Sequence, residues 1–276
     1  MYNKYASRGF IMNFKKAVVF LCCAAPLCAM LNCLVMFFTV ETSSGFFKMG
    51  YASFAALMLG LIAVLILLSA VAFSKIKRPN EPAFWPIVSC LLSVVLGLCF
   101  FAEAFNFTPL AGVSPIFAGF IKVFAVLSGI VFVWRGANCL SFVPIFKEIY
   151  IIPVVYLIMK VVAAFIAYAA VATILETVFE LFALCAMLIF MLNFAKHENG
   201  IKNKKGGSLF LPLSVVCAIF IITQIAPYIV NHFAKEEILL HANSLFSPTS
   251  VVISLFIISV SIFKDKKELE LRNEAL

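Results

Sequence analysis

Two lysines interrupt runs that are otherwise apolar. Lys160 lies near the middle of a run covering about 149–171, and Lys122 lies within a run covering about 115–134. A charge inside a hydrophobic segment is expensive and marks a solute path, a proton relay or a buried counter-ion. Two structural readings compete with that one. The long stem can carry the ammonium to the headgroups, or the lysine can form an ion pair with no role beyond packing.

Acids that could meet these lysines sit at the ends of apolar runs. Glu41 and Glu103 close two of them, and Glu176 and Glu180, one helical turn apart, begin another. If the chain reverses near residue 174, Tyr168 comes level with Glu180 and a hydrogen bond between them is geometrically easy. Lys160 then lies roughly 12 Å further along the axis, so a bridge from it to Glu180 would be stretched. Gln224 falls at a similar depth to Tyr168 and Glu180. Lys122, Glu103, Tyr168, Glu180 and Gln224 are therefore expected to share one third of the bilayer, with Lys160 beneath them. Such a cluster would line a polar cavity for a proton-coupled or anionic solute. In the plainer reading Glu41, Glu103 and Glu176 are interfacial and solvated.

The elements that position these residues are long apolar runs. The 276-residue chain is 64% hydrophobic and 12% charged, against about 45–50% and about 25% for soluble domains. Eight runs, roughly 17–40, 51–74, 84–105, 115–134, 149–171, 174–195, 208–230 and 245–263, each approach the ~20 residues that cross a hydrocarbon core. They are continuously apolar rather than alternating, so helices are expected and strands are not. Pro26 and Pro227 fall inside runs, and Pro26 predicts a kink. The stretch 149–195 has no Gly and only one Pro near its start, yet as one helix it would be about 70 Å long. A hairpin near 172–175 is expected instead.

Charge sets the direction. Of the 21 Lys and Arg, all except Lys48, Lys122, Lys160 and Lys235 lie in every second gap: before the first run, around 75–78, at Arg135 and Lys147, around 196–205, and after 263. By the positive-inside rule this predicts an even number of spans with both termini cytoplasmic, in a cell membrane. The net charge of +8 is accounted for by these loops facing anionic lipid. No polar segment is long enough to present a nucleic-acid-binding face. The whole chain reads as one polytopic domain. Paired landmarks (Phe14-Lys15 with Phe146-Lys147, Glu41-Thr42 with Glu176-Thr177, Ser114-Pro115 with Ser247-Pro248) suggest a parallel 4+4 repeat of residues 14–134 and 146–263, followed by a cytoplasmic tail 264–276.

Several chemistries lack their residues. The single Asp is Asp265, in the charged tail, which removes Asp-based magnesium–diphosphate sites and aspartyl intramembrane proteolysis. No P-loop and no G-x-S-x-G occurs. The nine cysteines have no C-x-x-C pair and are expected to be free, small apolar residues. His232, Glu236, Glu237 and His241 share one gap, but the two i,i+4 pairs point in different directions and do not make a zinc site. Glu236-Glu237 resembles the paired glutamates of membrane-embedded CAAX-type proteases. Position 241 holds His where that family carries Arg, and no run contains His, so the resemblance is set aside.

The expectation is an eight-helix integral membrane protein with no cofactor and no catalytic centre, of small-solute transporter type. The alternatives are a non-catalytic scaffold, sensor or regulator and, with the least support, an integral membrane enzyme acting on lipids. Partners beyond the bilayer and an unknown solute are not legible.

Overall fold

The computed structural model describes residues 14–39, 50–74, 84–107, 112–141, 146–169, 175–199, 210–234 and 248–261. These are helical throughout, with no strand among them. The helices are α1 (Phe14–Leu34), α2 (Ala52–Ser74), α3 (Trp85–Asn106), α4 (Pro115–Ser141), α5 (Ile151–Ala169), α6 (Leu175–Glu198), α7 (Phe210–Ala234) and α8 (Pro248–Ser261). A π-helical turn, Val35–Thr39, extends α1, and a 3₁₀ turn, Lys147–Tyr150, leads into α5.

Each helix falls on one of the eight apolar runs to within a few residues, except α4, which continues past its run to Ser141. Six helical segments, in α1 through α6, are long and apolar enough to cross a membrane; the apolar part of α7, Leu211–Pro227, and the 14-residue α8 are shorter. Residues 149–195 form two helices packed on each other, α5 and α6, as a hairpin requires. The turn at 170–174 lies outside the described residues.

The outside of the bundle is apolar. Phe105, Ile116, Phe165, Leu67 and Val71 are all exposed, while Ser69, Ser93, Ser128, Asn32, Thr223 and Lys160 are buried. That distribution inverts a water-soluble protein and suits a hydrocarbon surround. Buried serines meet their hydrogen-bonding demand on their own helices. Ser69, Ser93 and Ser128 each donate to the carbonyl four residues back, at 2.7 Å.

Two cores share α7. The larger gathers side chains from α3 to α8 around Phe100, Phe132, Phe190, Phe194 and Phe256. The smaller packs α1 and α2 against α7 through Cys28, Leu31, Ile62, Ile66, Val215 and Ile219. The tightest helix pair is α3 with α4. A Cβ added to Gly97 would lie 2.7 Å from the Gly129 carbonyl oxygen, and one on Gly129 would lie 2.9 Å from that of Gly97. Backbone thus rests on backbone, which only small residues permit.

This close approach accompanies a correction. The cysteines are not all free: Cys90 of α3 is disulfide-bonded, whereas Cys22, Cys23, Cys28, Cys33, Cys99, Cys185 and Cys217 are thiols. Near Cys90, the α4 backbone comes so close that a Cβ on Gly136 would lie 3.0 Å from the Cys90 carbonyl oxygen. Sequence spacing cannot show such a contact between helices.

Candidate functional site

Lys160 is buried on α5, and its Nζ donates to Glu103 Oε1 of α3 in a charge-assisted hydrogen bond. The two side chains are 5% and 8% exposed. Neither helix is charged elsewhere at this level. Glu103 sits one turn before the end of α3, and helical side chains lean toward the N-terminus of their own helix. Its carboxylate is therefore directed back into the bundle rather than out of its end. Lys160 lies further from the end of α5, and its long stem bridges the difference.

The site includes a residue that the charge argument passed over. Tyr156, one turn before Lys160, is 1% exposed, and the ammonium lies 5.9 Å from the centre of its ring. The Tyr156 hydroxyl faces the Glu103 carboxylate, yet neither Tyr156 Oη nor Glu103 Oε2 completes a well-formed hydrogen bond. Buried polar atoms are normally satisfied, so unpaired ones suggest strain, water or a ligand. Small residues continue this face of α5, with Ala163 and Ala164 fully buried and Ala167 nearly so, and α5 packs against α4 and α6.

Below Tyr156 the rings form a continuous path. Tyr156 meets Phe100 edge-on at 5.4 Å, Phe100 stacks on Phe132 at 5.6 Å, and Phe132 meets Phe256 edge-on at 5.3 Å. Phe194 closes on Phe256 at 5.5 Å. The path ends at a second cation, Arg135 of α4, whose guanidinium lies 5.4 Å from the Phe194 ring centre and 5.2 Å from that of Phe256. Arg135 also donates to Ser93 at 2.6 Å and reaches Glu198 of α6 at 3.5 Å. By charge pattern Arg135 belongs to the basic gap after residue 134. It is instead inside α4, which runs on to Ser141, and it faces the bundle. The i−42 serine and the aromatic residues of α6 and α8 that hold it are distant in sequence.

Of the six expected cluster residues, the described structure brings two together. Lys160 and Glu103 meet. Lys122 is half-buried on α4 and forms no ion pair with a described residue; the carboxylate of Glu103 is occupied by Lys160. The backbones of Tyr168 and Glu180 belong to α5 and α6, but their side chains lie outside the described residues, so the Tyr168–Glu180 hydrogen bond is untested. Gln224 is buried on α7. The acids Glu41, Glu236 and Glu237 and the histidine His241 are outside the described residues, as are the side chains of Glu176 and His232.

Next to Gln224 is a second polar junction. Pro227 has no N–H, so the Thr223 carbonyl four residues earlier loses its helical partner. Asn32 of α1 supplies the missing donor, its Nδ2 lying 2.8 Å from Thr223 O. Asn32 and Thr223 are both fully buried. Asn32 Oδ1 and Thr223 Oγ1 make no hydrogen bond. Pro227 was visible in the sequence; that Asn32 answers it was not.

No family model, no curated protein and no solved structure matches the chain. Fold and surface define it as a helical bundle of membrane type.

Proposed function

We propose that the chain is an eight-span membrane protein that binds and moves a small solute without catalytic chemistry. The observation that carries this reading is the buried Lys160–Glu103 pair, with Tyr156 Oη and Glu103 Oε2 beside it short of a well-formed hydrogen bond. An ion pair embedded among apolar helices is costly to desolvate. Partner atoms left open are difficult to explain by packing alone. The alternating basic gaps support a cell-membrane location with both termini cytoplasmic. The apolar stretches of α7 and α8 supply the seventh and eighth spans.

The landmarks of a 4+4 repeat are not carried through the packing, because α6 packs on α7 whereas α2 makes no comparable contact with α3 among the described residues. α1 packs on α2 as α5 packs on α6, and α3 on α4 as α7 on α8. Beyond those pairings, α7 also receives α1 and α2.

A second reading, a non-catalytic scaffold or regulator, is favoured by Lys122, half-buried without a described ion-pair partner. It is favoured too by the broad exposed apolar face of α2 at Leu57, Leu61, Val64, Leu68 and Val71. Uptake by proteoliposomes separates the two. Wild type should accumulate at least one solute from a panel of zwitterions, anions and cations, and Lys160→Ala should abolish that uptake. Unchanged uptake by Lys160→Ala would remove the pair from the mechanism. Absence of uptake across the panel would favour the regulator.

A further inference from the structure

We infer that the Lys160–Glu103 site recognises a zwitterion: an ammonium and an oxyanion on one short carbon skeleton, as in an amino acid. This deepens the transport reading and rests on the same pair. Lys160 and Glu103 neutralise each other, and their side chains are 5% and 8% exposed. A solute that engages either must displace the other.

A solute carrying only a carboxylate would take Lys160 and leave Glu103 buried without a counter-charge. An amine alone would take Glu103 and strand Lys160. Either outcome leaves one buried charge unpaired, a penalty that corresponds to at least about a hundredfold in affinity. A zwitterion avoids it. Its ammonium donates to Glu103 while its oxyanion accepts from Lys160, so one internal pair becomes two pairs and the site's net charge does not change.

The unsatisfied atoms are those this exchange needs. Glu103 Oε2 can accept a second ammonium N–H, and the Tyr156 hydroxyl, which faces the Glu103 carboxylate without a well-formed hydrogen bond, can turn to donate to the oxyanion. Tyr156 already lies under the lysine, on the same face of α5.

The same chemistry occurs in free amino acids and in the headgroup of ethanolamine phospholipids. Both belong in the test. Thermal stability of the purified protein in detergent is measured with leucine, with its two half-molecules isovalerate and isoamylamine, and with glycerophosphoethanolamine. Leucine or glycerophosphoethanolamine should raise the midpoint, and whichever does so identifies the source. Each half-molecule should need at least about a hundredfold higher concentration for the same shift. The inference is overturned if a half-molecule works as well as the whole, or if neither zwitterion shifts the midpoint.

A single substitution at either position can fail to fold, so the control is the double variant Lys160→Met with Glu103→Leu, which removes both charges. It should melt cooperatively and show no shift with either zwitterion; a retained shift overturns the assignment. Uptake distinguishes this inference from the transport reading. Zwitterion binding without uptake in proteoliposomes sinks transport and leaves the site. Uptake of a simple anion or cation through this pair sinks the zwitterion and leaves transport.

Discussion

Lys160 and Glu103 illustrate how a buried pair differs from two buried charges. Removing one partner leaves the other desolvated, which typically costs about 3–5 kcal/mol, whereas replacing both with apolar residues of similar volume is often neutral. Lys160→Met and Glu103→Leu should therefore each lower the melting temperature strongly, and the double variant should recover most of the loss. A double variant less stable than either single would show that the pair itself stabilises the bundle. Arg135 differs because its guanidinium contacts two aromatic rings and a serine at once. Lysine has the charge but not the planar fork. We expect Arg135→Lys to destabilise by about 1–2 kcal/mol, measured by thermal melting; a change within error would mean that charge alone matters there. Both members of the pair were legible in the sequence as charges out of place. Their pairing was not, because it depends on which helices are neighbours and how each side chain leans.

At the scale of the helix, glycine separates contact from lipid exposure. Gly97 and Gly129 lie where α3 and α4 touch through backbone, whereas a Cβ on Gly60 of α2 or Gly119 of α4 meets nothing within 4 Å. Gly97→Ala and Gly129→Ala should each cost about 1–3 kcal/mol through overpacking. Gly60→Ala and Gly119→Ala should be neutral or gain up to about 1 kcal/mol, from helix propensity alone. Equal melting temperatures for the two sets would contradict the close approach. The helices themselves were legible almost to the residue, because continuous apolar runs and the proline and glycine signals at their ends are local properties. The main departure is α4, read as ending near 134 and continuing to Ser141. Arg135 looks like a loop residue only until Ser93, Phe194 and Phe256 are seen to enclose it. The α3–α4 contact and the Cys90 disulfide were illegible for the same reason, being relations between elements. The Asn32–Pro227 junction makes a further prediction. Asn32→Leu should destabilise by about 1–3 kcal/mol, because a buried carbonyl loses its donor. In a Pro227→Ala background the restored N–H should reduce that cost, and a double-mutant cycle without coupling would refute the compensation.

The molecule as a whole is a larger core, α3 to α8, with α1 and α2 docked on its side through α7. α2 is the least buried of the six long apolar helices. Leu67 is 64% exposed, while Ser69, two residues on, is fully buried. Leu67→Arg should therefore reduce the yield of folded protein in membranes, as a charge at a span centre costs about 2.5–3.5 kcal/mol on insertion. A wild-type yield would mean that this face is covered by protein or water instead. The shared position of α7 also bears on how the chain is assembled during synthesis. α1 emerges first, yet one of its interior polar side chains has its hydrogen-bonding partner on a helix made more than 180 residues later. Until α7 arrives, Asn32 must be satisfied by water, lipid headgroups or the insertion machinery. α7 in turn carries an incomplete hydrogen-bond ladder that another helix has to finish. The first and seventh helices are thus obligate late partners, and the α1–α2 unit completes its fold only once α7 has been made.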